Sequence, residues 1–409
     1  MLTGWEKIVF LCLALVSTVG AFLTFRYMFR IIRKGKTPLP WKQLLTAPWK
    51  GLKVFFSQQT LFKSRPVIGF IHALVAWGFI LYMVVNLVDV LEGLITDFQF
   101  LPHHWLGFVY RLFVDLFSVL VLAGIAFFLI RRFVTGDVRL MTENRVMMDN
   151  ATREGIRRDS LIVGVFIFFH VGFRLIGASF SAALAGPDWS QPAASVLSKA
   201  WCGFTPAMLH LGEHIGWWGA LGLILAFIPY FPYSKHAHLF MGPINFILTP
   251  EKRSPTTLPA LDFEDETIEQ FGASTVAHLT QKQLLDPFAC IMCNRCQDNC
   301  PAYVTGKQLS PSALEINKRY YLKQSGSAWL KDGTPPEDKL TTWMLSEEAA
   351  WSCTTCGLCV ELCPVGNEPL VDILNVRQDL VMMESNFPKD AMDMFNKLET
   401  YGNPWGLSS

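Results

Sequence analysis

The stretch CIMCNRCQDNCP, residues 290–301, and its counterpart CTTCGLCVELCP, residues 353–364, decide the architecture of this chain. Each spaces four cysteines as C-x2-C-x2-C-x3-C and follows the last with proline: Cys290, Cys293, Cys296, Cys300 and Pro301, then Cys353, Cys356, Cys359, Cys363 and Pro364. Three thiolates so close in sequence wrap one corner of an iron–sulfur cubane, while the fourth, redirected by its proline, reaches a different one. The spacing predicts two 4Fe-4S clusters with exchanged ligands: cluster 1 on Cys290, Cys293, Cys296 and Cys363, cluster 2 on Cys353, Cys356, Cys359 and Cys300. A pair of zinc sites is the rival reading, but zinc motifs set two cysteines against a distant second pair and do not run four together. Of ten cysteines, only Cys12 and Cys202 stand apart from these eight. That clustering suits metal ligation in a reducing compartment and not a secreted disulfide scaffold.

The rest of the chain belongs to another environment. Its 409 residues are 51% hydrophobic and only 17% charged, too apolar for a soluble protein of this length. Residues 1–250 hold 22 Lys and Arg against 12 Asp and Glu, whereas residues 251–409 hold 13 against 22. Five stretches reach the ~20 apolar residues that a membrane helix needs: Ile8–Ile31, Pro66–Val90, Leu106–Ile130, Leu161–Phe180 and Met208–Phe231. Basic residues crowd the loops after the first helix (Arg30 to Arg65) and the third (Arg131 to Arg158) and are scarce in the others. The positive-inside rule then sets the N-terminus outside and the cysteine region in the cytoplasm of a multi-pass inner-membrane protein. The first apolar run lacks a small-residue cleavage site and reads as a retained helix, not a signal peptide. Trp41–Phe62 reads equally as an amphipathic interfacial helix or a basic loop. The expected organisation is a mainly α chain: a membrane domain over 1–248, a linker over 249–275 rich in Pro, Thr and charge, and a soluble α-helical ferredoxin-like domain over 276–409. Helices are expected over Pro311–Gln324 and Glu368–Met383, with a helical hairpin inserted between Cys300 and Cys353.

Histidines inside membrane helices are costly and mark function. His72, early in the second helix, and His238, just past the fifth, share a depth near the cytoplasmic face, as two axial imidazoles of a b-type haem must. Depth alone leaves open that His236 and His238 are solvated interfacial residues. A second polar group lies in the outer half: Arg111 and Asp115, His170 and Arg174, each four apart, with His210, Glu213 and His214. A structural salt-bridge cluster, a second haem on His170, His210 or His214, a quinone site and a proton path all suit it; Asp115, His170, Arg174, Glu213 and His214 are the quinone and proton candidates. Trp105, Trp201, Trp217 and Trp218 suit interfacial anchors.

Five helices with His72 in the second and Pro232–His238 closing the fifth resemble the cytochrome b (gamma) subunit of respiratory nitrate reductase. The duplicated cysteine motif, with Asn403-Pro404-Trp405-Gly406 after it, resembles heterodisulfide-reductase-type iron–sulfur proteins. Together they look like the membrane subunits that join soluble redox proteins to menaquinone, among them those of the quinone-interacting membrane oxidoreductases and the electron-transfer-flavoprotein:menaquinone oxidoreductases. The resemblance implies a five-helix transmembrane cytochrome b bundle with His72 and His238 on haem b, menaquinone as substrate, and heterodisulfide-reductase-like subunits or an electron-transfer flavoprotein as partner. It also exposes a departure. Two-haem relatives carry a histidine about ten residues after the first and about eighteen before the last, where this chain has Tyr82 and Ala220. Many flavoprotein-linked relatives continue into a further cysteine-rich domain; with the chain stopping at Ser409, such a module is expected as a separate partner.

The expected function is an electron-relay subunit of a respiratory oxidoreductase, catalytic only with its partners. An iron–sulfur redox sensor without quinone chemistry would call for an output module, and a transporter for repeated, Gly/Pro-broken helices. Neither pattern is in the sequence, nor is any pattern for binding nucleic acid.

Overall fold

A computed structural model describes residues 2–101, 104–249 and 261–408, and every regular element among them is a helix apart from one isolated antiparallel bridge, Thr275 to Lys339. Residues 250–260, much of the expected linker, lie outside the described residues. The chain divides into two compact units that interleave in sequence. Unit 1 comprises Met1–Tyr27, Leu52–Leu140 and Glu154–Leu239; unit 2 comprises Met28–Gly51, Met141–Arg153 and Phe240–Ser409.

Unit 1 is built on long apolar helices. Four are long and apolar enough to cross a membrane: α1 (Gly4–Ile32), α4 (Pro66–Leu94), α5 (Trp105–Leu129, carried on to Val134 by a π turn) and α6 (Asn150–Ala185). Each contains the apolar core expected from sequence and overruns it, because helix needs only satisfied backbone whereas the apolar count stops at the first charges. Pro66, at the first turn of α4, has no N–H to satisfy there. The expected fifth span appears as α8 (Pro206–Phe227), started by Pro206 and by the Thr205 hydroxyl, which accepts from Met208 N–H. His210, Glu213 and His214 in its first turns keep α8 outside the apolar group of four. A short helix, α7 (Pro192–Ser198), precedes it. Where α6 crosses α8, Gly177 faces Gly216 so closely that a Cβ on Gly216 would strike the Gly177 backbone. Small residues at such a crossing let two membrane helices pack backbone to backbone.

Between α1 and α4 the stretch Trp41–Phe62 breaks at Pro48 into α2 (Gln43–Thr46), α3 (Trp49–Ser57) and a 3-10 turn over Gln59–Phe62. Trp49, Leu52 and Phe56 form an exposed apolar stripe along α3.

Unit 2 holds α9 (His238–Leu248, from its third residue), α10 (Gln281–Ala289), α11 (Arg295–Asp298), α12 (Pro301–Val304), α13 (Pro311–Asp332), α14 (Leu340–Trp343), α15 (Glu347–Trp351), α16 (Leu358–Glu361), α17 (Pro369–Met382) and α18 (Lys389–Tyr401). The expected hairpin between the motifs is instead one long helix, α13, followed by two single turns. The Ser310 hydroxyl caps α13, accepting from Ala313 N–H at 3.1 Å, and Gly333, at φ 78°, ends it two turns past Gln324. Parts of the two basic segments read as connecting loops, Met28–Gly51 and Met141–Arg153, belong to this unit. Gln281 N–H donates to the Thr37 carbonyl at 3.2 Å, and the Gln281 side-chain oxygen accepts from Leu39 N–H and the Trp41 indole, both at 3.0 Å. Gly35 lies so close to Thr280 and Gln281 that no Cβ would fit. The second segment holds the first cysteine motif: the Met141 carbonyl accepts from Gln297 Nε2 at 2.9 Å, and Arg145 donates to the carbonyls of Tyr303 at 2.8 Å and Lys307 at 3.0 Å.

Candidate functional site

The two cysteine motifs fold alike. Residues two and four places after the first cysteine adopt left-handed backbone in both: Met292 (φ 55°) and Asn294 (58°), then Thr355 (54°) and Gly357 (72°). A β-branched residue such as Thr355 enters that region only under strain, and strain held by its surroundings marks functional loops. Such turns aim backbone N–H groups inward. Thr355 N–H points at Cys353 Sγ at 3.4 Å, and Asn367 N–H at Cys363 Sγ at 3.3 Å.

Among the described residues no three His, Cys, Asp or Glu side chains converge tightly enough to hold a single metal ion. The thiols gather more loosely, in two sets. The charges acting on Cys290 and Cys296 include those of Cys293 and Cys363. Cys300 feels Cys353 and Cys356, and Cys359 feels all three of these. Cys359 also feels Cys363, so the sets adjoin. Each motif's fourth cysteine thus lies with the other motif's first three. Burial, reinforced by neighbouring thiols, pushes Cys363 up to about 12 and Cys290 and Cys296 well up. Ionising them takes a compensating cation, which the iron of a cubane supplies.

A buried polar network brings Cys363 to Cys290. Asp286, in the turn before Cys290, accepts from Glu368 N–H at 3.0 Å and from Asn245 at 2.9 Å; its carbonyl takes Asn367 Nδ2 at 2.7 Å. Lys282 ties Asp286 to the Gly366 carbonyl. The segment just after Cys363 and Pro364 is therefore fastened to the helix that leads into Cys290. Arg319 of α13 donates to the Cys290 carbonyl at 3.2 Å, while Arg377 of α17 donates to the carbonyls of Ala350 and Trp351 and steadies the entry to Cys353.

In unit 1, His72 of α4 faces His238 with ring centres 6.4 Å apart. At that separation the two imidazoles would hold one haem iron between them. His238 Nδ1–H donates to the Lys235 carbonyl at 2.8 Å, which orients its ring. His236 is buried, not solvated: Phe79, Phe227 and Phe231 surround it edge-on at 5.2–5.7 Å.

The outer polar residues have partners that sequence spacing did not reveal. Arg111 meets Ser190 at 3.0 Å and Asp188 at 3.7 Å, while Asp115 caps α7, accepting from Ala193 and Ala194 N–H at 2.6 and 3.0 Å. Arg174 pairs with Asp89 of α4 at 2.9 Å. His210 meets Glu213, and His214 meets Glu6, both at 2.9 Å. His170 Nδ1–H donates to the Ala220 carbonyl at 3.0 Å, with its ring against Tyr82 at 5.6 Å. These pairings hold His170, His210 and His214 in separate places. His170 is level with Ala220, about 15 Å along α8 from His210 and about 9 Å from His214. It fills the space beside Tyr82 and Ala220 instead.

These geometries meet their counterpart in known proteins. Residues 287–367 match a 4Fe-4S dicluster domain. The chain carries that domain. It is similar to a probable iron-sulfur-binding oxidoreductase, FadF, of Bacillus subtilis (30% identical, over 98% of this chain and 58% of the relative). It is also similar to an EtfAB:quinone oxidoreductase of Syntrophomonas wolfei (26%, over 88% of this chain and 52% of the relative). A third relative belongs to the dihydromethanophenazine:CoB–CoM heterodisulfide reductase of Methanosarcina acetivorans, as one of its subunits (29%, over 32% of each chain). The likeness to heterodisulfide-reductase-type and flavoprotein-linked membrane oxidoreductases read from the motifs is thus real, and these homologues are oxidoreductases or their subunits by name. The chain spans little more than half the length of the first two. No solved structure matches it.

Proposed function

We propose that the chain is the membrane electron-transfer subunit of a quinone-linked oxidoreductase, working between a cytoplasmic redox protein and menaquinone. The observation that carries this reading is the His72–His238 pair in the membrane-helix unit of a chain that also holds the dicluster domain. When bound, two 4Fe-4S clusters and a haem b supply one-electron carriers. The residues hold and orient them: Cys290, Cys293, Cys296 and Cys363 for one cluster, Cys300, Cys353, Cys356 and Cys359 for the other, His72 and His238 for the haem. The EtfAB and quinone in a relative's name support an electron-transfer flavoprotein, or a heterodisulfide-reductase-like subunit, as the soluble partner.

Connectivity supports five spans in an inner membrane. Unit 2 takes in the segments after α1, before α6 and after α8. If these lie on one side, α4 and α5 cross out and back, and α8 must return what α6 carries across. The basic segments then face the cytoplasm with the cluster domain, and the N-terminus lies outside.

A dithionite-reduced-minus-oxidised spectrum with pyridine haemochrome quantification tests this. One b-type haem per chain is expected, lost in His72→Ala, with both cluster EPR signals kept. Absence of b-type bands overturns the haem, and a ratio of two shows that Tyr82 and His170 do not exclude a second.

A further inference from the structure

Two buried polar atoms in the outer half of unit 1 are idle beside a charged pair. Tyr110 Oη on α5 and Asn86 Oδ1 on α4 have no hydrogen-bond partner among the described residues. Buried polar groups are nearly always paired, so each exception needs a reason. Their neighbours are all engaged. Tyr82 Oη bonds Ser118 at 2.6 Å, Asp89 holds Arg174, the Asp89 carbonyl takes the Trp217 indole N–H at 3.0 Å, and Glu92 accepts from Phe100 N–H at 2.9 Å.

The idle atoms lie about one helical turn apart in level. Tyr82, Asn86 and Asp89 are spaced four and three apart, one stripe of α4. The Tyr82–Ser118 bond sets the register of antiparallel α4 and α5, so Asn86 is level with Val114 and Tyr110 with Val90, about one turn or 6 Å along α4. The Arg174 guanidinium stands within electrostatic reach of both Tyr82 and Tyr110.

We propose that Tyr110 and Asn86, beside the Arg174–Asp89 pair, bind the headgroup of a quinone. The proposal rests on the quinone-linked reading above and gives that substrate a place. A quinone presents two carbonyl acceptors, and its hydroquinone presents two hydroxyl donors. A site that holds both forms needs groups that donate and accept, and a phenol and a carboxamide do both whereas Arg174 only donates. The ion pair is not sealed: the Arg174 and Asp89 side chains keep 18% and 17% exposure. The apolar residues Val84, Leu87 and Phe113 are exposed at the same level, where an isoprenoid tail would lie in lipid. Of the quinone candidates named from sequence, only Arg174 belongs to this site.

The test uses the full chain in lipid nanodiscs and the quinol analogue 2-heptyl-4-hydroxyquinoline N-oxide, whose fluorescence is quenched on binding. Tyr110→Phe and Asn86→Leu should each weaken its binding about tenfold, the loss of one hydrogen bond. Cys202→Ser, at an exposed position before α8, should leave it unchanged. Haem and cluster spectra are recorded on every sample, so a variant that misfolds declares itself, and Asn86→Ser then stands in for Asn86→Leu. Wild-type affinity in both variants, or no binding to a wild-type chain that carries haem and clusters, overturns the site. A chain lacking those cofactors instead overturns the electron-transfer reading on which the site rests.

Discussion

Lys318 is buried in unit 2 with its ammonium 2.7 Å from Asp372, 3.2 Å from Glu315 and 3.0 Å from the Gln283 carbonyl. One cation therefore joins α10, α13 and α17, the helices that frame the cysteine motifs. Removing it in Lys318→Met leaves Asp372 buried without its counter-ion and should cost about 3–5 kcal/mol, read as earlier thermal loss of the cluster absorbance. Glu315 behaves differently. Burial, only partly offset by Lys318 at 3.2 Å, pushes its carboxyl well above the usual range. A carboxyl raised in the folded state contributes stability that is present at low pH and lost as pH rises through the raised value. Melts of the cluster-loaded protein should thus decline as pH rises from the usual carboxylate range toward the raised value, and Glu315→Gln should flatten that decline. A decline equally steep in the variant would assign it to another group. The exchanged ligands have their own test: Cys300→Ser should disturb the EPR signal of the cluster on Cys353, Cys356 and Cys359. A change confined to the other signal would refute the exchange.

At the scale of elements, the α6–α8 crossing depends on two glycines and not on a side-chain lock. Gly216→Val should push the helices apart and lower the thermal midpoint, at a cost of about 1–3 kcal/mol for an overpacked contact. Gly222→Ala, whose new methyl would meet only the Trp218 ring at 3.8 Å, should be neutral. Equal melting of the two variants would deny the close crossing. Most elements were legible in the sequence because their signals are local: apolar runs mark the helices, Ser310 and Pro311 start α13, and the cysteine spacing marks the motif loops. What was not legible is which helix each polar residue faces. Asp115 and Arg111 share a face of α5, yet one caps α7 and the other reaches Asp188. Asp89 was overlooked as the partner of Arg174, although a lone acid in an apolar helix signals that a partner must exist. The Tyr82 and Ala220 departures were visible, but nothing local says that His170, fifty residues from Ala220, fills the gap.

For the whole molecule the open question is how many times the chain crosses the membrane, and a long chain with two basic segments in its cluster unit constrains the answer. The contacts that place Thr37, Leu39 and Trp41 beside Gln281, and Met141 beside Gln297, span roughly 150 to 250 residues and leave no periodic trace, so sequence assigned these segments to loops by charge alone. Once they belong to one unit with the cysteine motifs, each pair of helices between them must return the chain to the same side. The proposed five-span topology puts Cys202, exposed just before α8, outside and Lys331 near the end of α13 inside. In sealed vesicles of known orientation, a membrane-impermeant maleimide should label Cys202 only from the outer face. In a Lys331→Cys variant the new thiol should label only from the cytoplasmic face. Labelling of both from the outer face would mean that α8 does not cross, the cluster unit would then lie on the outer side, and the donor could not be a cytoplasmic protein.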